Sequence, residues 1–147
     1  MDEGGVLRIL VADDDDSFVE LLRELVGGRG KIVGVAATGA EAIAAAGRLR
    51  PDVVLMDLDM PVLEGDEATR QIMAANPLTK VVMVSGADVE AHSLDIWMSG
   101  VVAHIPKPDV AEHLPKVLEG LRPAQTSAGN GSSASSGSRP PWPSARP

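Results

Sequence analysis

The sequence predicts an α/β fold: a five-stranded parallel sheet, doubly wound by helices on both faces. Three observations carry this. Five short β-rich runs alternate with five helical patterns across residues 6–121. Several of those runs are continuously apolar rather than alternating, as strands covered on both faces require. The connections are short, and β-α units repeated in this way build a parallel sheet through right-handed crossovers.

The elements follow in order. The strand-like runs are VLRILVA (6–12), KIVGVAA (31–37), DVVLMD (52–57), KVVMVS (80–85) and VVAHI (101–105). The helical patterns are SFVELLRELV (17–26), GAEAIAAAGRL (39–49), EGDEATRQIMAA (64–75), DVEAHSLDIWMS (88–99) and VAEHLPKVLEGL (110–121). Residues 123–147, PAQTSAGNGSSASSGSRPPWPSARP, hold too little apolar surface to offset their ordering entropy and read as a disordered tail. The ordered unit is therefore expected over 1–122.

Composition narrows the function classes. The chain has 147 residues, one Phe, two Trp and no Tyr, so its core is aliphatic. No cysteine is present, which excludes disulfides and thiolate metal sites. The N-terminus MDEGG is acidic and no apolar run reaches the roughly 20 residues of a membrane span, so a cytoplasmic protein is expected. The net charge is −8 and every acidic residue lies in 1–122, which argues against direct binding to nucleic acid or anionic membrane.

Four consecutive aspartates, Asp13 to Asp16, end the first strand. Two carboxylates about 4 Å apart repel by roughly 1 kcal/mol in water and roughly 4 kcal/mol in a half-buried setting. Parallel topology gathers strand C-termini on one rim, where open α/β sheets place their sites. There Asp13 and Asp14 meet Asp57 from the third strand, Ser85 from the fourth and Lys107 after the fifth. Oxygen-only ligands without nearby His or Cys favour a hard cation, Mg²⁺ first and Mn²⁺ second. Asp15 and Asp16 are expected to start the following helix, where carboxylates cap exposed N–H groups.

These residues, with Gly65 in MPVLEGDEATRQI and the pair Lys107-Pro108, give the chain from Val6 to Leu121 a resemblance to the receiver domain of two-component response regulators. The resemblance implies the flavodoxin-like receiver fold, (βα)5, and a role as phosphoacceptor rather than enzyme. Asp57 would take a phosphoryl group from the phosphohistidine of a sensor histidine kinase or phosphotransfer protein. Asp14 and Asp57 would ligate Mg²⁺ through side chains, Asp59 through its main-chain carbonyl and Asp13 largely through water. Lys107 would pair with the phosphoryl oxygens, and Ser85 would bond to them and move. The implied outcome is a switch in binding to a downstream protein, including a phosphorylation-dependent homodimer through the face of the fourth helix, fifth strand and fifth helix. No output-domain pattern follows Leu121; a complete chain would resemble a stand-alone receiver, and a fragment would end in the start of a linker.

Three positions, His104, Gly86 and Pro115, depart from the family pattern. His104 stands where Tyr or Phe, rotating inward with the hydroxyl residue, is usual; it reads either as a lesser switch partner of Ser85 or as an ordinary strand residue. Gly86 replaces Ala, and Pro115 is expected to kink the last helix or delay its start. Trp97, in the fourth helix, is expected in the core rather than at an exposed partner contact. Two rival readings remain: a receiver-like binding module without phosphotransfer, and a haloacid-dehalogenase-type phosphatase built on the Asp-x-Asp of MDLDM. In such a phosphatase the second aspartate works through its side chain. A calcium loop from Asp13 fails because its sixth residue is Phe18 rather than Gly, and GGRGKIVG precedes its strand, unlike a dinucleotide loop.

Overall fold

A computed structural model describes residues 6–58, 60, 65–86 and 98–121. The strands are β1 (Leu7–Ala12), β2 (Gly30–Ala36), β3 (Val53–Asp57), β4 (Lys80–Ser85) and β5 (Ala103–Pro106). The helices are α1 (Asp16–Val26), α2 (Gly39–Leu49), α3 (Gly65–Ala75) and α4 (Val110–Leu121), the last being the segment read from the sequence as the fifth helix. Most of the helix predicted over 88–99, with Trp97, lies outside the described residues, as do Asp59 and the 123–147 tail.

All pairings are parallel and the strand order is β2-β1-β3-β4-β5. The chain winds outward from β1 to β2, then returns past β1 to β3 and continues the other way. The C-terminal ends of β1 and β3 therefore flank the point where winding reverses, the usual place for a ligand crevice.

Side chains alternate along each strand and so divide the core into two layers. Leu7, Ile9, Val11, Val53, Leu55, Val82, Val84, Ala103 and Ile105 pack against α1 and α4. Leu10, Ala12, Val54, Met56, Val81 and Met83 pack against α2 and α3. β3 is buried along its whole length, which explains its unbroken apolar run. In α1, Val19, Leu22 and Val26 recur on one face, as do Val110, Leu114, Val117 and Leu118 in α4. Small residues (Gly39, Ala42, Ala45 and Ala46) let α2 approach the sheet closely.

Helix ends are satisfied locally. Asp15 caps α1, accepting from the N–H groups of Ser17 at 3.0 Å and Phe18 at 3.2 Å. Thr38 caps α2 by accepting from Glu41 N–H at 3.0 Å, while the Glu41 carboxylate accepts from Ala37 N–H at 2.8 Å. At the other end of α2, Arg50 adopts a left-handed φ of 50°. Arg8 donates from Nη1 to the carbonyls of Leu49 and Arg50, both at 2.8 Å, closing that end against β1.

Three local details differ from the sequence reading. β5 starts at Ala103 rather than 101, because Gly100, at φ 108°, still belongs to the preceding turn. It runs on to Pro106, since an outermost strand tolerates a residue without an N–H. α4 begins at Val110 and passes through Pro115 without a delayed start. β2 slips register against β1: Ile9 faces Ile32 but Leu10 faces Gly34, leaving Val33 over.

The Thr38 cap should be measurable. Thr38→Ala is expected to lower stability by about 1 kcal/mol in urea unfolding, with an unchanged m-value.

Candidate functional site

The rim above β1 and β3 is built from the backbone outward. Asp13, just past β1, is fixed by its N–H bond to the Ala36 carbonyl on β2 at 2.9 Å. Its Oδ1 accepts from Asp15 N–H at 2.9 Å, so the chain turns over this carboxylate to enter α1. Asp57 ends β3. Asp13 and Asp57 are only 3% and 4% exposed, whereas Asp14 faces solvent. One carboxylate oxygen from each of Asp13, Asp14 and Asp57 lies within 4.8 Å of the others. The four-aspartate run thus divides: two residues join this cluster, Asp15 caps α1, and Asp16 opens its first turn.

Lys107 occupies a 3₁₀ turn (Lys107–Asp109) directly after β5. Its Nζ reaches 3.5 Å from Asp13 Oδ2 and 3.7 Å from Asp57 Oδ1, ionic contacts longer than an ideal hydrogen bond. The same ammonium lies 4.5 Å from the centre of the Phe18 ring, within cation–π range. Phe18 was not singled out as a site residue from the sequence. Its signal there is faint: it is the sole Phe, one turn into the helix that follows the acidic run.

Burial pushes the Asp13 carboxyl above its ordinary pKa of 3.8. The Asp15 N–H and Lys107 act against this, and the neighbouring Asp14 charge adds to it. One ammonium therefore leaves the cluster short of positive charge. Three carboxylates presenting only oxygen suit a hard divalent cation.

Gly65 fixes the far wall. A Cβ at this residue would stand 2.5 Å from the Asp57 carbonyl oxygen and 2.9 Å from Leu58 Cα. The absence of a side chain lets the start of α3 press directly on the end of β3, and Gly65 N–H donates to the Leu58 carbonyl at 2.9 Å. Ser85, fully buried at the end of β4, has its Oγ 2.8 Å from His104 Nε2. Burial lowers the His104 pKa below its ordinary 6.5. The structure thus brings Asp13, Asp14, Asp57 and Lys107 together and pairs Ser85 with His104.

Comparison with known proteins points the same way. Residues 9–119 match the family model of the response regulator receiver domain. A protein-glutamate methylesterase/protein-glutamine glutaminase of Thermotoga maritima is 37% identical over 129 residues, covering 81% of this chain and 37% of that protein. Its counterpart in Vibrio cholerae is 36% identical over 105 residues, covering 69% of this chain and 28% of that protein. The chain thus spans well under half the length of these relatives. The response regulator domain of Thermotoga maritima CheB superposes with a TM-score of 0.71 at 33% identity, covering 78% of this chain and 94% of that one. The receiver domain of a Pseudomonas aeruginosa sensor histidine kinase, solved with magnesium coordinated in its active-site cleft, gives 0.69 at 25% identity, covering 78% and 95%. Receiver domains are regulatory modules that work between histidine kinases and downstream targets. With its (βα) order, flavodoxin-like sheet and aspartate cluster at the reversal point, this chain belongs to the response regulator receiver family.

Proposed function

We propose that Asp57 is the phosphoacceptor, receiving its phosphoryl group from the phosphohistidine of a sensor histidine kinase or phosphotransfer protein. The observation that carries this reading is the position of Asp57: buried at the end of β3, with the Lys107 ammonium at 3.7 Å and two further carboxylates in reach of a shared cation. A carboxylate oxygen of Asp57 attacks phosphorus in line, the O–P bond forms, and the P–N bond breaks with its electron pair leaving on the donor imidazole. A carboxylate is already charged, so no general base is needed. The work left to the protein is positioning and neutralisation of the phosphoryl oxygens, to which Lys107 contributes directly.

Asp14 and Asp57 would hold Mg²⁺, with Mn²⁺ second in preference, through their side chains; Asp13 would contribute largely through water and Asp59 through its main-chain carbonyl. When bound, the cation supplies the positive charge that lets an anionic phosphoryl group approach this cluster. Ser85 then bonds the phosphoryl oxygens, and its displacement is felt at His104. The domain is a regulator that assists only its own phosphorylation and dephosphorylation. It works in the cytoplasm, with residues 1–122 as the receiver and 123–147 as its tail. Its output is a change in binding to a downstream protein or to a second copy, through the face that the family forms from its fourth helix, fifth strand and fifth helix, the last two being β5 and α4 here.

Incubation with Mg²⁺ and acetyl phosphate should yield one phosphoryl adduct by intact-protein mass, absent in Asp57→Asn and retained in Asp59→Asn. Loss of the adduct in Asp59→Asn would favour the Asp-x-Asp phosphatase; no adduct with any donor would leave a passive binding module. Lys107→Ala should keep Mg²⁺ binding, read by Trp fluorescence, while the fluorescence change on addition of beryllofluoride disappears.

Metal-free stability should report the charge imbalance. The folded-state pKa of Asp13 is raised, so its stabilising contribution exists at low pH and is lost as pH rises through the folded value. At neutral pH the ionised Asp13 weakens the metal-free fold. Asp13→Asn, which keeps an oxygen for Asp15 N–H, should therefore gain about 1 kcal/mol in urea unfolding at pH 7 without divalent ions. The same variant should show a smaller stabilisation by Mg²⁺, which in the wild type is about 2.7 kcal/mol at a hundredfold excess over the dissociation constant. A loss of metal-free stability would contradict the charge argument.

A further inference from the structure

Phe18 lies in the first turn of α1, and local features aim its ring at the rim. Its N–H donates to the Asp15 cap at 3.2 Å, which fixes that turn. It precedes Leu22 and Leu25 at helical spacing and sits part-buried against the same core layer, at the margin of the apolar stripe. Helical side chains lean toward the N-terminus of their helix. For α1 that end is the rim, so the ring leans toward the acidic cluster, and its centre comes within 4.5 Å of Lys107 Nζ.

The Lys107 ammonium needs a contact of this kind. It ends a four-carbon stem whose rotamer freedom is among the largest of any side chain. Its carboxylate contacts, 3.5 Å to Asp13 and 3.7 Å to Asp57, are longer than a hydrogen bond. Both also depend on charge. A divalent cation held by the same carboxylates takes up the negative charge that attracts the ammonium, and repels the ammonium besides. The attraction of a ring face comes from its quadrupole, which offers no net charge for a metal to cancel. The ring contact therefore persists where the carboxylate contacts weaken.

We propose that Phe18 is a positioning residue for phosphoryl transfer, whose ring holds the Lys107 ammonium at the rim once a divalent cation has taken up the carboxylate charge. The role rests on the phosphoacceptor reading of Asp57 given above. An ammonium already in place spares the transfer step the cost of ordering the lysine stem. Phe18 acts through Lys107, not on the phosphoryl group itself. An aliphatic side chain of similar bulk would fill the same margin of the core without a face to attract the cation, and this separates positioning from packing.

Phe18 is the only phenylalanine in the sequence, so growth on fluorinated phenylalanine alters this ring and no other. Fluorine draws charge from the ring face while nearly keeping its shape. Across mono-, di- and trifluorinated rings, the rate of adduct formation from acetyl phosphate in Mg²⁺ should fall stepwise, to about a third, the factor equivalent to one ordinary cation–π contact. Phe18→Leu should show a similar loss and Phe18→Tyr should restore the rate. Without any phosphoryl donor, the ε-methylene protons of Lys107 in the Mg²⁺-loaded protein should carry an upfield ring-current shift that Phe18→Leu abolishes. An adduct rate indifferent to fluorination, or a Phe18→Leu protein as fast as the wild type, overturns the positioning role. So does a Lys107 proton shift that is unchanged in Phe18→Leu. If no adduct forms with the wild type, the phosphoacceptor reading fails, and the proton shift alone decides whether the ring holds the ammonium.

Discussion

Three clustered carboxylates, two of them facing one ammonium, held where the sheet reverses its winding, are the constraint on which the rest of this domain turns. Left to themselves, Asp13, Asp14 and Asp57 would separate. They cannot, because the strands that carry two of them are locked by apolar packing. Most of β1 and all of β3 are buried, and each fully buried Val, Leu or Ile contributes about 1.5–3 kcal/mol. A repulsion of roughly 1–4 kcal/mol between neighbouring carboxylates is small beside that sum. The unfavourable charge is therefore tolerated at one place because the hydrophobic scaffold is secure everywhere else.

The residues around the cluster keep it from relaxing by other routes. Lys107 shares its charge between Asp13 and Asp57 while the Phe18 ring approaches the same ammonium. Gly65 allows α3 to start against the Asp57 carbonyl, leaving no slack at the end of β3. With all three carboxylates ionised, two negative charges remain in excess of Lys107. A divalent cation would cancel that excess, and the added charge of a phosphoryl group would then fall on a neutral site rather than a doubly negative one. The proposed chemistry follows from this balance more than from any single side chain.

What could be read from the sequence was whatever depended on position along a strand. Parallel topology alone places strand C-termini on one rim, so the sequence suffices to group Asp13, Asp14 and Asp57, and Lys107 with them. Features that depend on the relation between elements were harder. Whether Phe18 faces Lys107 depends on how α1 leaves the Asp15 cap, and one turn of helical pattern does not specify that. The slip at Val33 is a matter of pairing between β1 and β2, invisible in either strand. The fifth apolar run ends at Ile105 in sequence, yet the strand includes Pro106, because an outermost strand has no need of its missing N–H. Pro115 reads as a kink or a delayed start, yet α4 already runs from Val110, held by Leu114, Val117 and Leu118 in the core. Ser85 and His104 could each be noted, but their bond needs the β4–β5 register.

That register also bears on which edge of the sheet can report the state of the site. Toward β2, the cluster is tied by a main-chain bond, Asp13 N–H to the Ala36 carbonyl. Changing it would break the ladder and expose backbone groups that have no other partner. Toward β5, the connection runs through a side-chain bond, Ser85 to His104. Rotation of one serine rearranges it and leaves every backbone pairing of β4 and β5 in place. A switch needs two arrangements close in energy, and the β5 side can supply the second at the cost of roughly one hydrogen bond. The β2 side cannot. The same strand order that concentrates charge at β1 and β3 therefore makes the β4–β5 edge the place where that charge can be felt.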